Sequence, residues 1–171
     1  MRKTIYYLLI ILLAVISRLI PHPPNFTPIA ALALFSGSHF KNKFSFVIPL
    51  GAMIVSDVFL GFHSIMFFVY LSFFLIFLIG RLLKKPGFIN LFSATIGSSI
   101  LFFVLTNFGV WLVGGFYQKN LSGLINCYWM AVPFFRNTIL GDLFYTFSFF
   151  YGFSFFERLS FKKATRFIFK S

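Results

Sequence analysis

The chain alternates long apolar runs with short polar or proline-rich segments, a pattern that predicts a bundle of membrane helices. A transmembrane helix needs about 20 apolar residues to cross roughly 30 Å of hydrocarbon. Most of the runs approach that length, but 29–37 is short and is expected to extend to Lys41 and Lys43, whose side chains can reach the interface. The apolar runs cover residues 4–16, 29–37, 44–62, 64–80, 88–113, 121–135 and 138–156.

Prolines and glycines mark the breaks between these runs. Four prolines between residues 21 and 28 exclude a helix interior and predict a rigid loop. Pro49 and Gly51 predict a kink within the third helix. The first run follows Arg2 and Lys3 as in a signal peptide, but no small-residue cleavage site follows it. We therefore expect it to remain as the first helix.

Composition places this chain in the membrane class. Hydrophobic residues make up 59% and charged residues 11% of the sequence, whereas a soluble domain carries about 25% charged residues. The mean hydropathy is +0.91. The length suits a single integral membrane domain over residues 1–171. The net charge of +12 does not indicate nucleic-acid binding, because the basic residues cluster between apolar runs and at the chain ends.

The distribution of Lys and Arg predicts six crossings with both termini in the cytoplasm, in a cytoplasmic (inner) membrane. Basic residues favour cytoplasmic loops, and seven crossings would put the basic C-terminal segment outside. Residues 121–135 are therefore predicted to form a re-entrant or interfacial segment on the outer side, before a sixth span at 137–156. Twelve basic residues then fall inside: Arg2, Lys3, Lys41, Lys43, Arg81, Lys84, Lys85, Arg158, Lys162, Lys163, Arg166 and Lys170.

Polar residues of several segments converge on the outer half in this topology. Asp57 and Asp142 lie inside apolar runs, where an ionisable group costs about 2.5–3.5 kcal/mol and usually marks a functional site. At such depth in a membrane, non-helical backbone is tolerated only where it lines a cavity or is buried in protein. We therefore predict an outward-facing pocket. Its candidate substrate-binding residues are Arg18, His22, Asn25, Asp57, His63, Asn107, Trp111, Asn126, Tyr128, Trp129, Arg136, Asn137 and Asp142.

Each group of candidates has an expected role. Flat apolar faces would come from Trp111, Tyr128 and Trp129. A neutral polar group would be oriented by Asn25, Asn107 and Asn137. Arg18 or Arg136 would hold a carboxylate unless Asp57 or Asp142 already pairs with it. The alternative is structural: the aspartates and arginines only brace helices, and the aromatic residues only form an interfacial belt.

The sequence offers little support for an enzyme. It has no glycine-rich phosphate loop, no Gly-x-Ser-x-Gly elbow and no His-Glu-x-x-His motif. The single cysteine, Cys127, excludes an internal disulfide and a cysteine-cluster metal site. We expect a non-enzymatic protein without cofactor or metal. A membrane enzyme, or a proton- or metal-coupled carrier, remains the third alternative.

Four sequence motifs resemble an uncharacterised bacterial family of small membrane proteins, a domain of unknown function. They are RLIPHPPNFTPIAALALFSG at residues 18–37, SDVFLGFH at 56–63, TNFGVW at 106–111 and PFFRNTILGD at 133–142. The layout is also similar to the S components of energy-coupling-factor vitamin transporters. Those have six helices, cytoplasmic termini, a proline-bearing first outer loop and an outward pocket.

This second resemblance implies a membrane-embedded component that binds and takes up a vitamin-like micronutrient. Such a component would work with a separate transmembrane coupling subunit and ATPases. S components usually dock through Ala-x-x-x-Ala on the first helix, but here Arg18 follows Ala14 at that spacing. The pair Ala33 and Gly37, or the small residues at 93–98, would have to replace that motif.

Overall fold

The protein is all-helical over the described residues, which are 2–40, 42–83 and 87–168 of this computed structural model. Side chains are described for residues 5, 7–40, 42–83 and 87–159. A 3-10 turn at Lys43–Phe46 leads into the third helix. The helices are α1 (Arg2–Leu19), α2 (Ile29–His39), α3 (Val47–Leu60), α4 (Met66–Leu82), α5 (Phe88–Val113) and α6 (Leu121–Ile168).

Local sequence signals set several helix ends. α1 stops before Pro21, because proline cannot continue a helix and disfavours helical backbone at the residue before it. α3 ends at Gly61, whose φ of +94° suits glycine, and whose N–H donates to the carbonyl of Asp57 at 2.8 Å. The Asn120 side chain accepts a hydrogen bond from the N–H of Gly123 at 2.8 Å and so caps the start of α6.

The short helix α2 lies at the centre of the bundle. Nine consecutive residues, from Ile29 to Gly37, are buried. The other five helices surround α2 in the order α1, α3, α4, α5, α6, and each contacts both its neighbours in the ring and α2 itself. A helix that is apolar all round is expected in such a core position.

Glycines allow α2 and α4 to cross with their backbones in contact. A Cβ added to Gly37 would lie 2.2 Å from the carbonyl oxygen of Phe77, and one added to Gly80 would lie 2.4 Å from that of Leu34. Gly97 on α5 differs from both, because no atom lies within 4 Å of a Cβ built there.

Three helical segments are long and apolar enough to cross a membrane: Lys43–Leu60, Phe88–Val113 and Leu121–Leu159. The apolar stretches Tyr7–Leu19, Ile29–His39 and Met66–Leu82 are shorter. At 1.5 Å per residue, the 17 residues of α4 extend about 25 Å and the 11 of α2 about 16 Å. Length and composition therefore support a membrane protein, but only three of the six predicted crossings.

One detail of the predicted helices is wrong. The expected break before the last span does not exist, because Arg136 and Asn137 lie inside the 48-residue helix α6, which also contains Pro133. Arg136 is exposed on the helix surface, so its charge does not require a loop. Pro49 lies in the first turn of α3, where proline is tolerated, and the kink there remains a prediction.

Part of the predicted inner charge lies outside the described residues. Arg81, at the end of α4, donates to the carbonyl of Phe40 at 2.9 Å and so links the ends of α4 and α2. Outside the described residues lie Lys41, Lys84, Lys85 and Lys170, and outside the described side chains lie those of Arg2, Lys3, Lys162, Lys163 and Arg166.

Candidate functional site

The proline-rich loop between α1 and α2 is anchored on α6. Phe26 N–H donates to the Pro23 carbonyl at 3.0 Å, closing a turn in which Asn25 has a φ of +63°. Pro24 and Asn25 suit the two central positions of a type II turn. The Phe26 ring packs 5.6 Å from that of Tyr145, and Gly141 leaves room for the Phe26 backbone. The loop is thus a fixed wall of the site.

Arg18 and Asp57 form an ion pair that ties three helices together. Arg18 Nη2 lies 2.8 Å from Asp57 Oδ1, and Arg18 Nη1 donates to Ser56 Oγ and to the Met53 carbonyl. The other oxygen of Asp57 accepts a hydrogen bond from Tyr70 Oη on α4 at 2.7 Å. The Asp57 side chain is 1% exposed. The predicted pairing of an aspartate with Arg18 is confirmed.

Asp142 has a different environment. It is 3% exposed, and its Oδ2 accepts a hydrogen bond from Ser99 Oγ on α5 at 2.7 Å. Among the described residues, no cation pairs with it, because Arg18 binds Asp57 and Arg136 points away from the core. Asp142 is therefore the buried carboxyl whose charge no neighbour neutralises.

A cavity of about 490 Å³ opens between these two acidic centres. Ala30, in the first turn of the central helix, lines it, and the proline-rich loop and all six helices contribute to its walls. Its volume is in the range of small-molecule sites, which hold roughly 300–1,000 Å³. The polar residues that line it are Arg18, His22, Asn25, Thr27, His63, Thr106, Asn107, Thr138 and Asp142. The aromatic residues that line it are Phe73, Phe102, Phe103 and Phe134.

Several polar side chains of this wall hydrogen-bond within the protein. Thr106 and Thr138 donate to the carbonyls one turn back, at 2.7 and 3.1 Å. One N–H of the Asn107 amide donates to the Phe103 carbonyl at 2.8 Å. His22 Nδ1 lies 2.8 Å from the Ile20 carbonyl. On the side of α5 and α6, Asp142 Oδ1 and the side-chain oxygen of Asn107 therefore remain as acceptors for a bound molecule.

The structure brings together about half of the predicted site residues. Arg18, His22, Asn25, His63, Asn107 and Asp142 line the cavity, and Asp57 lies behind Arg18. Six others lie elsewhere: Trp111, Asn126, Tyr128, Trp129, Arg136 and Asn137. The continuity of α6 explains why several of these six residues lie away from the cavity. Residues 126–129 are part of one continuous helix and cannot turn back over the cavity as a separate segment.

The displaced aromatic residues have other contacts. Trp111 Nε1 donates to the Gln118 carbonyl at 2.9 Å, and the Lys119 ammonium lies 5.5 Å from the centroid of the Trp111 ring system. Tyr128 Oη donates to the Val104 carbonyl at 2.7 Å. Trp129 is 75% exposed on α6. These three residues do not line the cavity, and their alternative role as interfacial belt aromatics remains a prediction.

Sequence reasoning missed the phenylalanines that line the cavity and the two hydroxyl groups that donate hydrogen bonds to the aspartates. Phenylalanine is too common in this chain for any one to stand out, with 30 in the sequence. Ser99 and Tyr70 could be linked to the acids only from the register between helices. Among the described residues, no group of three His, Cys, Asp or Glu side chains could hold a metal ion.

The model of a family of unknown function, DUF6580, matches residues 1–164. The chain belongs to this family. The resemblance to an uncharacterised family is thereby confirmed. No curated protein and no solved structure gives a significant match to this family member. Its similarity in layout to the S components therefore remains a prediction.

Proposed function

We propose that this protein is a membrane-embedded binding and uptake component for a small, vitamin-like micronutrient. The observation that carries the proposal is the cavity of about 490 Å³, into which six of the predicted polar residues converge. Its mixture of aromatic faces and a few polar groups is usual for small-molecule sites. Helix bracing alone does not account for a cavity of this size and lining.

We infer that the chain crosses the cytoplasmic membrane six times, with both termini in the cytoplasm. The short α2 fits this arrangement if it runs from the cavity floor to the inner edge, where Arg81 binds the Phe40 carbonyl. Its length of about 16 Å leaves roughly half of a 30 Å hydrocarbon layer, which the proline-rich loop and the cavity would occupy. Non-helical backbone is tolerated at that depth because it lines a cavity.

The topology has a direct test. A variant that lacks the native Cys127 and carries Ser171→Cys should react with a membrane-impermeant maleimide only after cells are permeabilised. Labelling of intact cells would overturn the proposed orientation.

Active uptake would require partners that this chain does not supply. An S-component-like protein would dock on a transmembrane coupling subunit driven by ATPases. Ala33 and Gly37 cannot form the docking surface, because both are buried in the central helix. Ser93 and Gly97, which are exposed on α5, remain as small residues that a partner helix could approach.

The second candidate function, helix bracing, is favoured by a separate observation. Arg18, Asp57 and Tyr70 connect α1, α3 and α4 through short contacts that leave no unpaired charge. We assign bracing to these residues and ligand binding to the opposite wall around Asp142.

Native mass spectrometry of gently purified protein would test the proposed function. We expect a co-purifying small molecule, and a rise in thermal stability with some members of a vitamin and nucleobase panel. Ala131→Phe should fill the cavity and abolish both signals, because Ala131 lines it. Val132→Phe is the matched control, since its neighbour Val132 is 51% exposed on the same helix. If no ligand is found and no panel member stabilises the protein, the bracing function stands instead.

A further inference from the structure

We propose that the ligand of this cavity carries a positive charge, as a protonated amine or amidine on a flat ring, and that Asp142 binds it. The inference rests on the proposed function and adds the chemical class of the ligand. From the sequence, an arginine would hold a ligand carboxylate unless an aspartate already pairs with it, and Asp57 already pairs with Arg18. The inference follows from how the charges and hydrogen bonds are distributed around the cavity.

The first argument is the charge balance of the walls. The charged or titratable residues facing the cavity are Arg18, His22, His63 and Asp142. Arg18 is neutralised by Asp57 at 2.8 Å, and its Nη1 is also bonded to Ser56 and Met53. A ligand carboxylate would have to compete with a buried partner already in place. Asp142 is the acidic residue of this wall, and no cation among the described residues pairs with it, so a cationic ligand would supply the partner that a buried carboxylate needs.

The second argument is the set of acceptors on the wall that carries Asp142. Ser99 satisfies only Oδ2 of Asp142, and among the described residues no hydrogen bond reaches its Oδ1. Asn107 donates one amide N–H to the Phe103 carbonyl, and its side-chain oxygen remains an acceptor. Protonated amines and amidines are donors without acceptor capacity on the charged group, so they match such a wall. A hydrogen bond from a charged nitrogen to a carboxylate is also about twice as strong as a neutral one.

The third argument is the aromatic lining. Phe73 and Phe102 lie with ring centroids 5.1 Å apart on neighbouring helices, and Phe103 and Phe134 complete the apolar wall. Phenylalanine faces carry the negative end of the ring quadrupole and attract cations within about 6 Å. They also stack against flat rings. The same wall therefore favours a cationic, planar ligand over an anionic one.

Three probes of one shape separate these possibilities: benzamidinium, which is cationic, benzamide, which is neutral, and benzoate, which is anionic. Binding would be measured by calorimetry on the full-length protein in lipid nanodiscs. We expect benzamidinium to bind the wild-type protein at least tenfold more tightly than benzamide, with benzoate weakest. This comparison needs no mutant, so it holds even where a substitution impairs folding.

Asp142→Asn would then assign the effect to one carboxyl. We expect it to weaken benzamidinium binding at least tenfold and benzamide binding much less, because only the cation loses a charged partner, whereas Asp142→Glu should keep the preference for the cation. Equal binding of benzamidinium and benzamide would overturn the inference, and tighter binding of benzoate would do the same in favour of Arg18.

Failure of the charge inference can be told apart from failure of the proposed function. If benzamide or benzoate binds, and Ala131→Phe abolishes that binding while Val132→Phe does not, the cavity is a ligand site for a non-cationic molecule. If none of the three probes binds, the cationic class is refuted. The native mass spectrum then decides whether any ligand occupies the cavity.

Discussion

Replacing Gly37 or Gly80 with alanine should destabilise the protein, although alanine is the better helix former. A Cβ at Gly37 would lie 2.2 Å from the Phe77 carbonyl oxygen, about 1 Å short of an ordinary contact of 3.4 Å. The opposing atom belongs to the backbone, so no side chain can rotate away. α2 and α4 would have to move apart along a fully buried interface.

The size of the effect follows from two opposing terms. Alanine in place of glycine inside a helix contributes about 1 kcal/mol of stability. Overpacking a well-packed core costs about 1–3 kcal/mol, and more where the backbone must move. A radial gap of 0.5–1 Å also forfeits about a quarter to a half of each dispersion contact along the separated faces. We therefore expect a net loss of about 2 kcal/mol for Gly37→Ala and a similar loss for Gly80→Ala.

Gly97→Ala is the matched control, because it also lies inside a helix but no atom lies within 4 Å of its added Cβ. It should be neutral, or stabilising by up to about 1 kcal/mol. Reversible unfolding in mixed micelles, followed by circular dichroism, would give the three free energies. The Gly37/Gly80 double variant should cost less than the sum of the single ones, since one separation of the helices accommodates both methyl groups. Equal stability of Gly37→Ala and Gly97→Ala would refute the close crossing.

Three further predictions on the polar contacts use the same unfolding measurement. Arg18→Gln and Asp57→Asn should each lower the free energy of unfolding by several kcal/mol, because each change leaves one buried charge unpaired. The double variant should lower it by less than the sum of the two, and strictly additive values would exclude the pair. Tyr70→Phe should cost about 1.5–3 kcal/mol by removing the 2.7 Å bond to Asp57, and an unchanged stability would contradict that bond. Thr146→Val should stabilise the protein by about 1 kcal/mol, because the buried Thr146 hydroxyl has no hydrogen-bond partner among the described residues. Thr95→Val should not stabilise the protein, because it removes a hydroxyl that donates to the Leu91 carbonyl at 2.8 Å. Equal effects of Thr146→Val and Thr95→Val would contradict this reasoning.

The sequence predicts helices of a membrane protein, and six of its candidate site residues line the cavity. Apolar runs and low charge predict membrane helices from composition alone, and Asp57 and Asp142 stand out because acids are rare in such runs. At least one of the two was expected to pair with Arg18 or Arg136, and the Arg18–Asp57 pair exists.

What could not be predicted depends on the rotation and register of helices. Nothing in the sequence distinguishes Gly37 and Gly80, which meet across an interface, from Gly97, which faces open space. The continuity of α6 was missed because Arg136 and Asn137 look like a loop signal, whereas in the continuous helix Arg136 is exposed and Asn137 is half-buried. Without that continuity, the aromatic residues of its first turns were placed over the pocket.

The burial of α2 on every side has a consequence for how the protein is made. With 11 residues and no face left for lipid, α2 cannot be held stably in a bilayer as an independent segment. Its seat is formed by later parts of the chain: Gly80 on α4, and Phe149, Phe150 and Phe153 on α6, whose rings pack against Phe35. Most of the polypeptide must therefore leave the ribosome before its second helix can take its final place. Docking of α2 is thus among the last steps in the assembly of this bundle.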